Sequence, residues 1–156
     1  MKSFELAKKV LELAQRLLKS EDYNQQCLLA LELAIYHSGK KQTKLAQESY
    51  QKALSLSFNQ GEQWSRVYPL QCYANWLYDQ GQYSEALGQY KQLEDLLEET
   101  EFRSMQAYNF YYLAMTTLQV NSQKKQQAKS YFEMAKNIAT ELGIVFCEDL
   151  EGNASY

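Results

Sequence analysis

The stretch NWLYDQGQYSEALGQY, residues 75–90, contains the end of one predicted helix and the start of the next. Gly81 separates the two segments, and glycine tolerates the left-handed backbone that commonly ends a helix. Beyond it, Ala86 is followed by Tyr90 four residues later and by Leu93 three residues after that. These spacings place the three side chains on one stripe of a helix, where a small residue lets a neighbouring helix approach and the tyrosine fills the space beside it. The stretch therefore predicts a helical hairpin.

The same stripe occurs three more times along the chain. Its first alanines are 39 residues apart (7 to 46), then 40 (46 to 86) and then 42 (86 to 128). The four stripes are Ala7–Leu11–Ala14, Ala46–Tyr50–Ala53, Ala86–Tyr90–Leu93 and Ala128–Phe132–Ala135. A nearly constant period indicates a repeat protein, in which one helix pair cannot bury its stripe alone and the pairs stack.

Amphipathic spacing and helix-stop residues predict an all-α chain of seven helices. Their expected bounds are 3–19, 23–38, 42–57, 64–80, 83–99, 103–120 and 124–142. Ser20 is the expected cap of the second helix, and Gly143 is expected to end the last one. Pro69 fits a first helical turn, or else kinks a helix that starts near 64. The repeat domain is expected over 1–143, with 144–156 as a capping segment or a loose tail.

The clearest unit resembles the tetratricopeptide repeat. The residues that match that family in order and spacing are Leu70, Tyr73, Ala74, Leu77, Gly81, Tyr83, Ala86 and Tyr90. Leu93 departs from the pattern, since a small residue is usual there. The resemblance implies a right-handed α-α superhelix, a TPR-like solenoid. A period near 40 resembles the sensor regions of bacterial regulators, such as peptide-pheromone receptors.

The resemblance also implies a concave groove lined by the first helix of each pair. Carried onto the clearest unit, the groove positions are Tyr68, Gln71, Asn75, Tyr78 and Asp79. The amide of Asn75 can both donate to and accept from a peptide backbone, and Tyr78 offers stiff contact area. The alternative is that all five are solvated side chains with no ligand.

The neighbouring pairs are harder to align, because their helix connections are expected to be longer by a residue or two. If Leu113-Ala114 matches Tyr73-Ala74, the groove positions there are Tyr108, Tyr111 and Met115. If Leu33-Ala34 also matches Tyr73-Ala74, the groove positions of that earlier pair are Leu28, Leu31 and Ile35. Exposed apolar faces normally indicate a partner. The alternative is that a second copy of the chain, or its tail, covers this face.

Composition excludes several classes of function. The formal charge is −3, from 16 basic and 19 acidic residues, and no basic face emerges, so nucleic-acid binding is not expected. Residues 104–123 carry no formal charge but are too polar for a membrane span, which predicts a helix buried on most sides. Cys27, Cys72 and Cys147 are odd in number and widely spaced, which favours reduced thiols and a cytoplasmic protein.

No pattern in the sequence indicates catalysis. His37 is the only histidine, and its place near a helix end favours a hydrogen-bonded structural role. The acidic residues of 94–101 lack calcium-loop spacing and are expected to form a solvated helix end. Neither a phosphate-binding loop nor a metal motif occurs. We therefore expect no enzyme, no cofactor and no metal.

Two hypotheses remain. The first is a non-catalytic module that binds a peptide or protein segment in the groove, as the sensor part of a bacterial regulator. The second is a self-associating, homodimeric scaffold that buries its apolar helices against another copy.

Overall fold

The computed structural model describes residues 2–17, 22–58, 63–98 and 100–144, without the side chains of 2–4 and 63–64. These residues form seven α-helices and no strand, so the all-α class is confirmed. The helices are α1 (Lys2–Leu17), α2 (Tyr23–Gly39), α3 (Thr43–Phe58), α4 (Val67–Asp79), α5 (Tyr83–Glu98), α6 (Arg103–Val120) and α7 (Lys125–Glu141).

The expected helix bounds agree with these to within two residues, except at the start of α4. There the segment Gln63–Arg66 forms a 3-10 turn, and the α-helix begins at Val67. Pro69 therefore lies in the first turn of α4, where its missing N–H would have no helical partner in any case. The cap of α2 is Asp22, whose carboxylate accepts from the Gln25 backbone N–H at 3.1 Å. Ser20, the expected cap, lies outside the described residues, as do Cys147 and the tail beyond Ile144.

Contacts between Cα atoms divide the chain into two compact units, 1–73 and 74–156, with the boundary inside α4. A single repeat domain over 1–143 stays a prediction. In the first unit α1 packs on α2, α2 packs on α3, and α3 contacts the 3-10 turn. In the second unit α5 packs on α6 and α6 packs on α7.

The core of the first unit follows the expected stripe of α3, since Ala46, Tyr50 and Ala53 are all buried. The ring of Tyr50 packs against that of Tyr73, with 5.7 Å between ring centroids. Cys27 of α2 is also buried, and its thiol donates to the Ala53 carbonyl at 3.3 Å. The core thus combines small residues, at which helices approach closely, with aromatic rings that fill the remaining volume.

The second unit repeats this arrangement. The stripe Ala86–Tyr90–Leu93 is buried to 0% exposure at all three positions. On α7, Ala128 and Ala135 are buried. Helix α6 has buried residues on more than one face, as the absence of charge over 104–123 predicts; they are Ala107, Asn109, Leu113, Ala114, Thr116 and Thr117.

The turns after α2 and α4 have the same hydrogen bonds, 40 residues apart. Lys41 N–H donates to Ser38 O, and Gly81 N–H donates to Tyr78 O, both at 2.9 Å. Both turn residues have a left-handed backbone, with φ of 57° at Lys41 and 74° at Gly81. The α2–α3 connection is therefore as short as the α4–α5 connection, and the expectation that it is longer was wrong. The connection within the third expected pair, 121–124 between α6 and α7, is longer by one residue.

The N-terminal stripe behaves differently from the other three. Ala7 is exposed, while Leu11 and Ala14 are half-buried. The apolar residues Leu6, Val10, Leu13 and Leu17 of α1 are also exposed. The expectation that Ala7 lies against a neighbouring helix is not met, and the turns of α1 carry more exposed apolar surface than those of α3 or α5.

Candidate functional site

Asn75 lies at the centre of a hydrogen-bonded group of side chains in the second unit. Its Oδ1 accepts from the hydroxyl of Tyr90 at 2.8 Å, and its Nδ2 donates to the hydroxyl of Tyr108 at 3.0 Å. Tyr90 is fully buried, whereas Asn75 is partly exposed. Because a hydroxyl donor holds Oδ1, the orientation of the amide is fixed. Among the described residues these are the partners of the Asn75 side chain, so one N–H and one acceptor lone pair remain for another group.

Tyrosine rings surround this amide. Tyr112 of α6 contacts four of them, with ring centroids 4.7–5.5 Å apart. The four are Tyr78, Tyr90, Tyr108 and Tyr111. Tyr78 also meets Tyr83 edge-on at 5.2 Å. Tyr108 is 37% exposed, and Tyr78, Tyr111 and Tyr112 are half-buried, so the cluster presents aromatic surface to solvent.

Burial raises the pKa of two phenols in this cluster. Desolvation raises the pKa of Tyr90 far above its ordinary value, and the neighbouring Tyr112 and Tyr108 raise it further. Desolvation also raises the pKa of Tyr112, and a hydrogen bond with Tyr108 adds to the effect. At neutral pH the cluster is therefore an uncharged array of hydroxyls and one amide, which suits hydrogen bonding to a neutral partner better than ion pairing.

The structure brings together most of the site residues predicted for the second unit. Asn75, Tyr78, Tyr108 and Tyr111 all belong to the cluster described above. Asp79 is exposed at the end of α4. Desolvation and neighbouring tyrosines raise the pKa of Tyr78, and the charge of Asp79 adds to this effect. Met115 is half-buried on α6, and nothing in the structure connects it to Asn75.

Tyr68 and Gln71, the other two predicted residues, belong to the first unit. Tyr68 is 54% exposed, and Gln71 is half-buried. The charge of Cys72 raises the pKa of Tyr68, and a hydrogen bond between the two side chains adds to this effect. Tyr68 therefore has a thiol neighbour in its own unit.

The groove positions expected on α2 differ in burial. Leu31 is buried in the core, while Leu28 is 55% exposed and Ile35 is 49% exposed. The turns that follow α2 and α4 have equivalent hydrogen bonds. This equivalence supports the alignment of Leu33-Ala34 with Tyr73-Ala74, from which the α2 positions were derived.

Tyr112 and Tyr90 are the site residues that the sequence reasoning missed. The stripe pattern predicts only a packing role for Tyr90, yet its hydroxyl donates a hydrogen bond to Asn75 Oδ1. Tyr112 falls between the groove positions of the repeat pattern and was not selected. Its spacing of four from Tyr108 was the available signal, because such pairs meet on a helix surface.

The described residues offer little else for chemistry. Among them, no group of three or more His, Cys, Asp or Glu side chains could hold a metal ion. His37, in the last turn of α2, shares a hydrogen bond of 2.8 Å with the Gln42 side chain, as expected for a structural histidine. No helix within the described ranges is long and apolar enough to cross a membrane.

Comparison with protein-family models, with curated proteins and with solved structures gives no match. The resemblance to the tetratricopeptide repeat therefore depends on the residue pattern and on the repeated turn.

Proposed function

We propose that the chain is a non-catalytic binding module of TPR-like architecture that holds an extended peptide or protein segment on the surface formed by Asn75, Tyr78, Tyr108, Tyr111 and Tyr112. The observation that supports this most is the state of Asn75. Its amide is oriented by Tyr90 and Tyr108, yet it keeps one donor and one acceptor.

A peptide backbone presents one donor and one acceptor per residue, which is the complement of what Asn75 has left. The surrounding tyrosines supply rigid, amphipathic contact area at low entropic cost, as in many protein-binding surfaces. The five side chains of this surface are uncharged at neutral pH, and Asp79 is a charged neighbour of the tyrosines. Hydrogen bonding to a peptide backbone and contact with apolar side chains are therefore favoured. A sensor role in a bacterial regulator is the most specific form of this proposal.

The test is a selection from random linear peptides with the intact chain, followed by measurement of the affinity of each selected peptide. Asn75→Ala removes both free hydrogen-bonding groups, and Tyr108→Phe removes a hydroxyl at the exposed edge without touching the core. Asn24→Ala, an exposed helical position of the first unit, is the matched control. We expect the first two variants to weaken binding about tenfold, corresponding to roughly 1.4 kcal/mol, and the control to leave it unchanged. Peptides that bind all four proteins equally would contradict the proposal.

The exposed apolar side chains of α1 support a second candidate function. Leu6, Val10, Leu13 and Leu17 are 57–72% exposed, and their spacings of four, three and four form a single seam. Such a seam, with valine at one position and leucine at the next, is the pattern of two-stranded coiled coils. We propose self-association through α1 as the alternative function, with a second copy of the chain as the partner.

Light scattering decides between a monomer and a dimer. If α1 mediates self-association, Leu13→Glu converts a dimer into a monomer, whereas Gln15→Glu, on the same helix outside the seam, leaves the dimer intact. A monomer at all accessible concentrations would eliminate the scaffold hypothesis and leave peptide binding untouched.

A further inference from the structure

Asp79 carries the only formal charge of α4, and it lies at the edge of the proposed binding surface. The helix sequence, Val67–Asp79, contains no other acidic or basic residue. On α6, which supplies three tyrosines of the surface, the only charged residue is Arg103, and its guanidinium forms an ion pair with Glu141. None of the ion pairs found among the described residues involves Asp79. An otherwise uncharged surface therefore has a carboxylate beside it that lacks a basic partner in the described part of the chain.

Two observations place the Asp79 side chain next to the tyrosine cluster. Asp79 follows Asn75 by four residues, and side chains four apart lie on the same face of a helix. Desolvation raises the pKa of Tyr78, Tyr90 and Tyr112, and in each case the negative charge of Asp79 raises it further. Because Asp79 is also exposed, a group bound on this surface can reach its carboxylate.

The fold gives no reason for an acid at this position. Asp79 is the last residue of α4, where the negative end of the helix dipole lies, so a carboxylate is unfavourable there. The same place in the neighbouring helix pairs, 40 residues before and 40 after, holds the uncharged residues Gly39 and Gln119. The helix end and the carboxylate both become favourable once a cation lies beside them.

We infer that Asp79 selects a positively charged group in the segment that the surface binds, close to the residue whose backbone is held by Asn75. This inference rests on the proposed function. Asp79 lies about 5.4 Å along α4 from the level of Asn75, and an extended peptide advances about 3.3 Å per residue, so the cation belongs within about two residues of that backbone. The tyrosine rings add to the preference, because the face of an aromatic ring attracts a cation.

The test is a titration of the full chain with three small amides, followed by NMR at about pH 6.5, where an α-amino group is protonated. Nα-acetyl-citrulline methylamide is the neutral reference. Nα-acetyl-arginine methylamide has the same backbone with a cationic side chain, and citrulline methylamide has the cation at its N-terminus. We expect a cationic compound to bind about threefold more tightly than the neutral reference at low salt, and to shift the backbone amide resonance of Asp79. The tighter of the two cationic compounds identifies the source of the charge.

Two matched variants assign the preference to one carboxylate. Asp79→Asn is expected to abolish it, because the substitution removes the charge and keeps the size of the side chain. Asp95→Asn is the control, since Asp95 is an exposed aspartate in the last turn of α5 and lies outside the surface. This control is expected to keep the preference of the wild-type chain.

Thermal unfolding of the free proteins gives a second readout. Asp79→Asn is expected to raise the unfolding midpoint by about 2 °C, because it removes a negative charge from the C-terminal end of α4. A lower midpoint would mean that the carboxylate stabilises the free chain, and it would overturn the inference. Equal affinity of the wild-type chain for all three compounds, or a preference that survives in Asp79→Asn, would also overturn it.

The proposed function and this inference fail in different ways. Asn75→Ala should weaken binding of all three compounds, since each has backbone amides that can bond to the Asn75 amide. If the neutral reference loses affinity in Asn75→Ala but no cationic compound is preferred, the proposed function stands and Asp79 has no selective role. If Asn75→Ala leaves the affinity for the neutral reference unchanged, the proposed function fails, and the inference that rests on it fails with it.

Discussion

The hydroxyl of Tyr90 donates a hydrogen bond of 2.8 Å to Asn75 Oδ1, joining a fully buried residue of α5 to a partly exposed residue of α4. The backbone carbonyl of the same tyrosine accepts from Asn109 of α6. One residue of the repeat stripe therefore fixes the direction of two amides. Packing of the stripe and presentation of the candidate site thus depend on the same side chain.

Replacing Tyr90 with phenylalanine keeps the ring and deletes only the hydroxyl. We expect the free energy of unfolding to fall by about 1 kcal/mol, because Asn75 loses the donor that orients it. Urea denaturation followed by circular dichroism measures the change. Tyr83→Phe is the control, since no hydrogen bond of the Tyr83 hydroxyl is found among the described residues. A loss as large in Tyr83→Phe as in Tyr90→Phe would show that the hydroxyl of Tyr90 has no special role.

The four stripe alanines are predicted to differ in their tolerance of a larger side chain. Ala86→Leu places extra volume where exposure is 0% and should destabilise the protein by about 1–3 kcal/mol. Ala7→Leu, at the matching but exposed position of α1, should change stability by less than about 0.5 kcal/mol. Thermal unfolding of both variants measures the difference. Comparable losses would indicate that α1 is covered in solution, as the scaffold hypothesis requires.

The two equivalent turns predict substitutions of opposite sign. Gly81→Ala should destabilise the protein by about 1 kcal/mol, because any residue other than glycine is strained in the left-handed backbone conformation at this position. The strain is in the backbone itself, since no atom lies within 4 Å of the added Cβ. Lys41→Gly should stabilise it by roughly 0.5 kcal/mol, since glycine relieves the same strain but costs chain entropy.

Gly88→Ala is the control for the turn substitutions, because Gly88 lies inside α5, and there too no atom lies within 4 Å of an added Cβ. We expect this variant to gain up to about 1 kcal/mol from helix propensity. Denaturant unfolding of the Gly81→Ala, Lys41→Gly and Gly88→Ala variants measures these changes, as shifts of the midpoint at an unchanged m value. A stabilised Gly81→Ala protein would mean that the turn relaxes to another conformation.

Alkaline pH is expected to destabilise the protein through its buried phenols. The pKa of Tyr90 is raised above its ordinary value of 10.0 in the folded chain. The Tyr90 phenol therefore releases its proton at lower pH in the unfolded chain, so its contribution to stability is constant below about pH 10 and is lost as the pH rises beyond it. Urea midpoints measured against pH follow this fall. Tyr90→Phe should lessen the slope, whereas an unchanged slope would assign the effect to other tyrosines.

Cysteine reactivity gives an independent check on the first unit. Burial raises the pKa of Cys27 and of Cys72, and only the thiolate is nucleophilic. In a Cys147→Ser variant, the two remaining thiols should react with a chromogenic disulfide more slowly than free cysteine at pH 8, and faster after unfolding in urea. Reaction of both at the rate of free cysteine would contradict their burial.

Much of the local structure could be predicted because it is encoded locally. The period near 40, the glycine at Gly81 and the amphipathic spacings predict helix number and bounds to within two residues at most ends. The start of α4 was missed because a 3-10 turn and an α-helix share nearly the same local pattern. The turn at Lys41 was also hard to foresee, since nothing in the side chain of lysine signals a left-handed backbone.

The same distinction between local sequence pattern and tertiary packing applies to the candidate site. The sequence by itself determined which residues are apolar, small or aromatic at helical spacing, and so it determined the helices and the buried stripes that begin at Ala46 and Ala86. Asn75 became a candidate through the resemblance to the tetratricopeptide repeat. Only the tertiary structure decided that Tyr90 and Tyr108 form hydrogen bonds with Asn75, that Tyr112 joins the aromatic cluster, and that Asn109 Oδ1 is buried without a partner among the described residues. The physical reason is distance along the chain. Spacing within one helix follows from 3.6 residues per turn, whereas a hydrogen bond between side chains 33 residues apart, such as Asn75 and Tyr108, depends on how the helices pack.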